Sequence, residues 1–257
     1  MNQIKQESKS FWEKRGKICY LYKGEEFYTI SAIPYYYKRR QILLSLMSQY
    51  VKQANKILDF GCGDGWYISY FSNNKGKEFC GVDISESMLQ QAKKNNPGCS
   101  FSSENELKEQ SFDLVYIISV FAHIEDKNCM EILNKLSSCL KKGGKLLLFE
   151  QTAPIRYSGD NFVRRRTDDY IDMLKDEYRV IDYQVVCFKY HCFFERYIAK
   201  KWYGLFSRGK TDYERRIYAN KSCLFRFLSD FFCRLSFHPV SKNKDMYGYS
   251  FIVVEKK

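Results

Sequence analysis

Residues 57–65 read Ile57-Leu58-Asp59-Phe60-Gly61-Cys62-Gly63-Asp64-Gly65, three alternating glycines flanked and interrupted by carboxylates. Glycine has no Cβ, so a ligand can lie against bare backbone there. Twenty residues beyond Gly63, the stretch Gly81-Val82-Asp83-Ile84-Ser85 supplies a further carboxylate. A glycine turn after one strand, with an acid at the end of the next, is how open α/β sheets hold a ribose: the carboxylate accepts from both hydroxyls. These residues therefore predict recognition of a nucleoside-type ligand, with Asp83 on its ribose.

The kind of nucleoside follows from what the turn lacks. A dinucleotide fingerprint needs a third glycine at position 66, which is Trp66, and Asp64 puts an anion where a pyrophosphate would sit. The turn itself is no G-x-x-x-x-G-K-[ST] phosphate loop; the stretch with that spelling, Gly204–Thr211, lies in the late insertion and not between a strand and a helix. S-adenosylmethionine has a ribose and an adenine, no phosphate, and a sulfonium cation, so acidic residues around the turn suit it. On this reading a side chain at Gly61 or Gly63 fills the ligand's space and leaves the fold largely intact.

The elements that must position these residues alternate. Lys56–Phe60 reads as a short buried strand, followed by the turn and a helix over 66–71. A second strand covers 78–84, and Ser85 is a good N-cap for a helix over 86–95. A short third strand spans 99–103. Residues 112–120, FDLVYIISV, form a nearly continuous apolar run, as in a central strand covered on both faces. A helix over 126–140 stops at Gly143-Gly144, and a fifth strand spans 145–151. A helix over 168–177, a sixth strand over 178–188 and a seventh over 247–255 complete the pattern. Pro34 opens a helix in which Ile42, Leu43, Leu46, Met47 and Tyr50 share one face.

Alternation of strand and helix predicts an α/β fold: a Rossmann-like, mostly parallel seven-stranded sheet with helices on both faces and a helical insertion between the last two strands. The chain reads as one domain, 1–257. Within it, 1–50 is an N-terminal helical lid, 51–188 the cofactor-binding core, 189–246 the insertion and 247–257 the final strand.

Composition narrows the class. The chain has 257 residues and a net charge of +12, with 17% aromatic side chains. Residues 189–246 hold thirteen basic and five acidic side chains and fourteen aromatic ones. They read as two helices mixing aromatic and basic residues, 190–203 and 224–235. The segment could be a packed cap with a solvated rim, or could bind an anionic acceptor, a lipid-linked glycan or membrane headgroups; nucleic acid is the less favoured partner. No window is apolar enough to cross a membrane, and the first residues lack the apolar core of a secretory signal. Ten cysteines are scattered; the closest pair, Cys187 and Cys192 around His191, lacks the second pair a zinc site needs, so no metal is expected. Thiols in that number predict a reducing compartment, the cytoplasm.

Four stretches in order, ILDFGCGDG, GVDIS, SFDLVYIISVFAHI and LKKGGKLLLFE, resemble the motifs of class I S-adenosylmethionine-dependent methyltransferases, the seven-stranded Rossmann-like family. The likeness covers roughly 40–188 and the last strand. It implies that Asp59 lies by the methionine end of the cofactor, that Gly61, Cys62 and Gly63 cradle it, and that Asp83 and Ile84 hold the ribose side. Ser103 or Glu104 would stand near the adenine amine, and Ile118 and Ser119 would reach the methionine through backbone groups. A vaguer likeness, to methyltransferases of bacterial surface-polysaccharide pathways, rests on the late insertion and on FYTISAIPYYYKRR.

Methyl transfer is an in-line displacement, and an alcohol acceptor also needs a base. Of three histidines, His123, His191 and His238, only His123 follows the fourth strand, where a reacting methyl group would point. Glu150, at the end of the fifth strand, is the second candidate. The expected function is S-adenosylmethionine-dependent methylation of a small-molecule or glycan-type acceptor, on oxygen. An RNA or protein methyltransferase and a non-catalytic Rossmann-like partner subunit are the alternatives; an NAD-dependent oxidoreductase is disfavoured by Trp66.

Overall fold

The computed structural model describes residues 9–13, 34–73, 76–103, 107, 109–159, 162–206, 219, 222–236 and 239–257. Of the sequence features singled out above, Glu104, His238 and residues 27–33 lie outside that set. The chain divides into two compact units: 1–17, 47–185 and 242–257 form one, and 18–46 with 186–241 form the other.

Helix α1, Pro34–Gln53, starts in the second unit and ends in the first. The first unit then runs β1 (Lys56–Phe60), α2 (Trp66–Phe71), β2 (Glu78–Val82), α3 (Glu86–Asn95), β3 (Ser100–Ser102) and β4 (Phe112–Ile118). A single 3-10 turn, Phe121–His123, leads to α4 (Asp126–Cys139), β5 (Leu140–Thr152), β6 (Tyr157–Gly159), β7 (Phe162–Arg164), α5 (Thr167–Leu174) and β8 (Tyr178–Val186). After the second unit's elements, α6 (Lys189–Phe194), a π-helical stretch (Glu195–Ala199), α7 (Lys200–Phe206), α8 (Cys223–Leu235) and β9 (Val240–Ser241), the chain returns to the first unit as β10 (Gly248–Lys256).

The main sheet has the order β3-β2-β1-β4-β5-β10-β8-β9. β1 pairs in parallel with β2 and β4, β2 with β3, and β4 with β5; β10 runs antiparallel to β5, with Gly248 opposite Thr152. The Rossmann-like, mostly parallel sheet is thus as the sequence predicts, with an eighth, two-residue strand at one edge. Strand β4 is buried at Leu114–Ile117 on both faces, so its apolar run shows no alternation. On one face of the sheet, Cys129, Leu133 and Leu136 of α4 pack with Val115, Ile117, Leu146 and Leu148 in the main core.

Several boundaries move for identifiable reasons. β4 stops at Ile118, not Val120, because Ser119 adopts a left-handed φ of 57°. The helix before β5 ends at Cys139, and its capping residue Leu140 is already extended, so Gly143-Gly144 lies inside β5. The sixth strand ends at Val186, and the Cys187 N–H donates to the Pro239 carbonyl at 2.6 Å. The antiparallel pair β6–β7 was not anticipated; its residues 157–164 carry no alternating apolar pattern.

In the second unit the two expected helices form. Ser222 caps α8 by accepting from the Phe225 N–H, and Phe194, Ala199, Ala219 and Phe225 make a small core. His191 is buried there, its ring stacked on Tyr35 with centroids 4.4 Å apart and a ring nitrogen 3.2 Å from the Ser229 hydroxyl.

Candidate active site

The glycine turn leaves β1 at the carboxyl edge of the sheet. Gly61 and Cys62 both donate their N–H groups to the Val82 carbonyl, at 2.8 and 2.9 Å, which draws the turn against the end of β2. Gly63 N–H donates to Asp83 Oδ2 at 2.8 Å, and Ser85 N–H donates to Oδ1 at 2.9 Å. The glycine turn and Asp83 are therefore joined directly. Burial raises the Asp83 carboxyl, opposed by these backbone hydrogen bonds. Ile84, next in sequence, is 43% exposed.

Gly61 and Gly63 both take positive φ, 77° and 54°, but their surroundings differ. A Cβ on Gly63 meets nothing within 4 Å, so the space beside it is open. A Cβ on Gly61 would lie 2.3 Å from Val120 Cγ2. The expectation that a side chain at either glycine leaves the fold largely intact is corrected for Gly61: its missing Cβ makes room for Val120, and a larger residue there disturbs the fold. Trp66, at the place of a third glycine, is the first residue of α2 and stacks on Tyr70, centroids 6.0 Å apart.

Asp59 is 2% exposed, and among the described residues its Oδ2 has no hydrogen-bond partner. Burial pushes its carboxyl well above the usual carboxylate range; the buried Tyr116 hydroxyl beside it opposes the shift, and Asp83 and Asp64 add to it. A buried carboxylate oxygen without a donor is costly unless a cation or donor completes it. The Asp59 oxygen, open backbone at Gly63 and an acid tied to that backbone fit a nucleoside with a cationic amino-acid end. Cys62 is buried and its thiol is raised, chiefly by burial. Ser103 follows the end of β3 and is exposed.

The segment after β4 is held from two sides. Glu150, fully buried, accepts from the N–H groups of Val120 (2.7 Å) and Phe121 (2.8 Å) through Oε1 and of Ala122 (3.2 Å) through Oε2. Burial raises its carboxyl to about 7 against the pull of those three donors. Arg165, also fully buried, donates to the carbonyls of Phe121 and Ile124, both at 2.6 Å, and to Asp126 Oδ1 at 2.7 Å. Arg156 makes a two-pronged contact with the same Asp126. Between these anchors stands His123, half-buried at the carboxyl edge where the sequence places it, its ring 5.7 Å from the Phe162 ring of β7.

Sequence reasoning missed three contributors. Arg165 is one of a run of three arginines, 164–166, the only signal that could have marked it. Trp12 and Glu13 come from a stretch without periodicity. Trp12 packs edge-on against His123 at 5.0 Å, while Glu13 accepts from the hydroxyls of Ser85 and Ser87 and from the Ser87 N–H. Residues 12–13 thus contact both the ribose side and the histidine.

Residues 57–144 match the family model of the methyltransferase domain. The matched segment and the sheet around it have the motifs and fold of a class I, S-adenosylmethionine-dependent methyltransferase domain. The cofactor of such a domain is S-adenosylmethionine. Phosphoethanolamine N-methyltransferase 1 of Zea mays is 30% identical over 106 residues, 38% of this chain and 21% of the maize protein. The chain therefore matches about a fifth of that relative's length. An O-methyltransferase from a Brevibacillus brevis polyketide synthase, solved with S-adenosylhomocysteine, shares the fold at TM-score 0.59 and 14% identity, over 85% of this chain and 71% of the other. The [4+2]-cyclase SpnF does so at TM-score 0.56 and 16% identity, over 84% and 82%. At such identities the likeness is one of fold.

Proposed function

We propose that this chain transfers the methyl group of S-adenosylmethionine to a small-molecule acceptor that carries an anionic group. The observation that carries the cofactor half is the unpartnered, buried Oδ2 of Asp59 beside the open backbone of Gly63. When bound, S-adenosylmethionine supplies a methyl group activated by its sulfonium. Asp59 pairs with the ammonium of the methionine end, Asp83 accepts from the ribose hydroxyls, and the exposed face of Ile84 lies against the adenine.

On the acceptor side, a ring nitrogen of His123 takes the proton from the attacking hydroxyl or amine. Glu150 is a positioning residue in this reading, not a base: both its oxygens are already engaged by the backbone that carries His123. Arg164, on β7, supports an anionic acceptor. Among the described residues its buried Nε has no hydrogen-bond partner, and its guanidinium lies 5.3 Å over the Phe162 ring that also packs on His123. Its neighbours Arg165 and Arg166 are ion-paired to Asp126 and Asp169.

Two acceptor chemistries are compared, a hydroxylated glycan and, because relatives are named for it, phosphoethanolamine. Calorimetry should show binding of S-adenosylmethionine and S-adenosylhomocysteine but not NAD. Transfer of a labelled methyl group to each acceptor then separates oxygen from nitrogen as the target. His123→Asn should lower turnover by roughly 10²–10⁴-fold with cofactor affinity unchanged. Binding of NAD alone, or full turnover in the His123 variant, overturns the corresponding half.

A further inference from the structure

The second unit carries exposed aromatic side chains beyond those buried in its small core. On α8, Leu224, Phe227 and Phe231 recur at helical spacing and are 56, 65 and 46% exposed. The buried residues of the same helix, Phe225, Ser229 and Cys233, point elsewhere. On the neighbouring helical run, Phe193 and Tyr197 are each more than half exposed.

These rings are in contact across the two helices. Tyr197 meets Phe193 at 4.9 Å between centroids and Phe231 stacks on Phe227 at 6.4 Å; Phe232, half-buried against the unit's core, links the two exposed pairs, 6.5 Å from Phe193 and 5.6 Å from Phe231. An exposed, contiguous apolar band of this kind marks an interaction surface, whereas scattered single residues would not.

Charge indicates what it meets. Lys189, Arg196, Lys200 and Lys201 are all exposed on the same helical run as Phe193 and Tyr197. The acids described on these helices are Glu195 and Asp230, and Asp230 is already shared between Lys38 and Arg234. Aromatic rings with lysine and arginine beside them are the composition of a helix lying in the plane of a bilayer surface: rings enter the headgroup boundary while cations stay with anionic headgroups. Among the described residues no helix is long and apolar enough to cross a membrane.

We infer that the helices Lys189–Phe206 and Cys223–Leu235 form a peripheral docking surface for anionic lipid, with Phe227 and Phe231 as its apolar anchors. None of its residues is among those assigned to the cofactor, and the proposal does not depend on the reaction proposed above.

The test is sedimentation of the full chain with vesicles of phosphatidylcholine alone and of phosphatidylcholine containing phosphatidylglycerol. The expected result is binding to the second kind, weakened by salt, with little binding to the first. Phe227→Ser with Phe231→Ser should reduce that binding by about tenfold or more, the scale of losing two buried rings. Both positions are exposed, so melting temperature and the S-adenosylmethionine-induced melting shift should stay near those of the parent. If the double variant is unstable, Phe227→Ser alone and Lys200→Glu with Lys201→Glu provide the same readout. The proposal is overturned if the parent binds neither vesicle, if stable variants bind as well as the parent, or if binding ignores both headgroup charge and salt. It is equally overturned if light scattering shows a parent dimer that the Phe variants dissociate, since a second copy would then cover the band.

Discussion

Asp83 accepts a hydrogen bond from the backbone N–H of Gly63 at 2.8 Å, so the acid proposed to hold the ribose also fixes the glycine turn. Removing the carboxylate has two effects at once: ribose hydroxyls lose their acceptor and the turn loses its tie. Asp83→Ala should weaken S-adenosylmethionine binding by about 1.5–3 kcal/mol, the worth of charged hydrogen bonds. Calorimetry checks this; an unchanged affinity would remove Asp83 from the site.

Gly61 and Gly63 should separate under alanine substitution. Both are left-handed, which costs a non-glycine residue about 1–2 kcal/mol. Gly63→Ala adds no clash and should remain folded while losing cofactor affinity. Gly61→Ala drives a methyl group into Val120 and should lose a further ~1–3 kcal/mol of stability. Thermal unfolding and binding, measured on both, give opposite rankings if the cradle is read correctly.

Asp59→Asn should raise the melting temperature of the free protein, because a buried carboxylate that faces no cation among the described residues is replaced by a neutral group. The same variant should show a smaller melting shift with S-adenosylmethionine, having lost the charge that meets the ammonium. A fall in both quantities would mean that Asp59 serves the fold alone.

Glu150 imposes a pH dependence whose sign is opposite to that of a paired surface carboxylate. Its folded value is raised from 4.5 to about 7, so the folded state binds more protons than the unfolded state in that window. Its contribution to stability is fully present below pH 4.5 and is lost as pH rises through about 7, by an amount on the order of 3 kcal/mol. Glu150→Gln cannot ionise, so its melting temperature should fall less than the parent's between those limits. Parallel pH profiles for the two proteins would refute the shift.

The cofactor half of the site was legible because its chemistry is local. Asp59 and the glycines are adjacent in sequence, and the 20-residue step to Asp83 is set by one helix and one strand. The acceptor half was less legible because it is assembled over long separations. That Glu150 spends its oxygens on residues 120–122 depends on β5 lying beside β4, which no spacing encodes. Arg165 reaches back across 44 residues to the Phe121 carbonyl, and Trp12 across more than a hundred to His123. Composition marked the aromatic insertion but could not show which rings face outward; Phe225 is buried and Phe227 exposed two positions on.

The place of β10 bears on the order in which the molecule assembles. It is the last strand in the sequence yet lies between β5 and β8, with its first residue, Gly248, opposite Thr152. Until residues 248–256 arrive, β5 and β8 each present an open edge where another strand could add. Closing that gap requires a loop of nearly a hundred residues between Thr152 and Gly248, so the step is slow relative to pairing within β1–β5. A nascent or partly unfolded chain would therefore pass through a state with its sheet split in two, and aggregation in refolding should be suppressed by a peptide copy of residues 248–256.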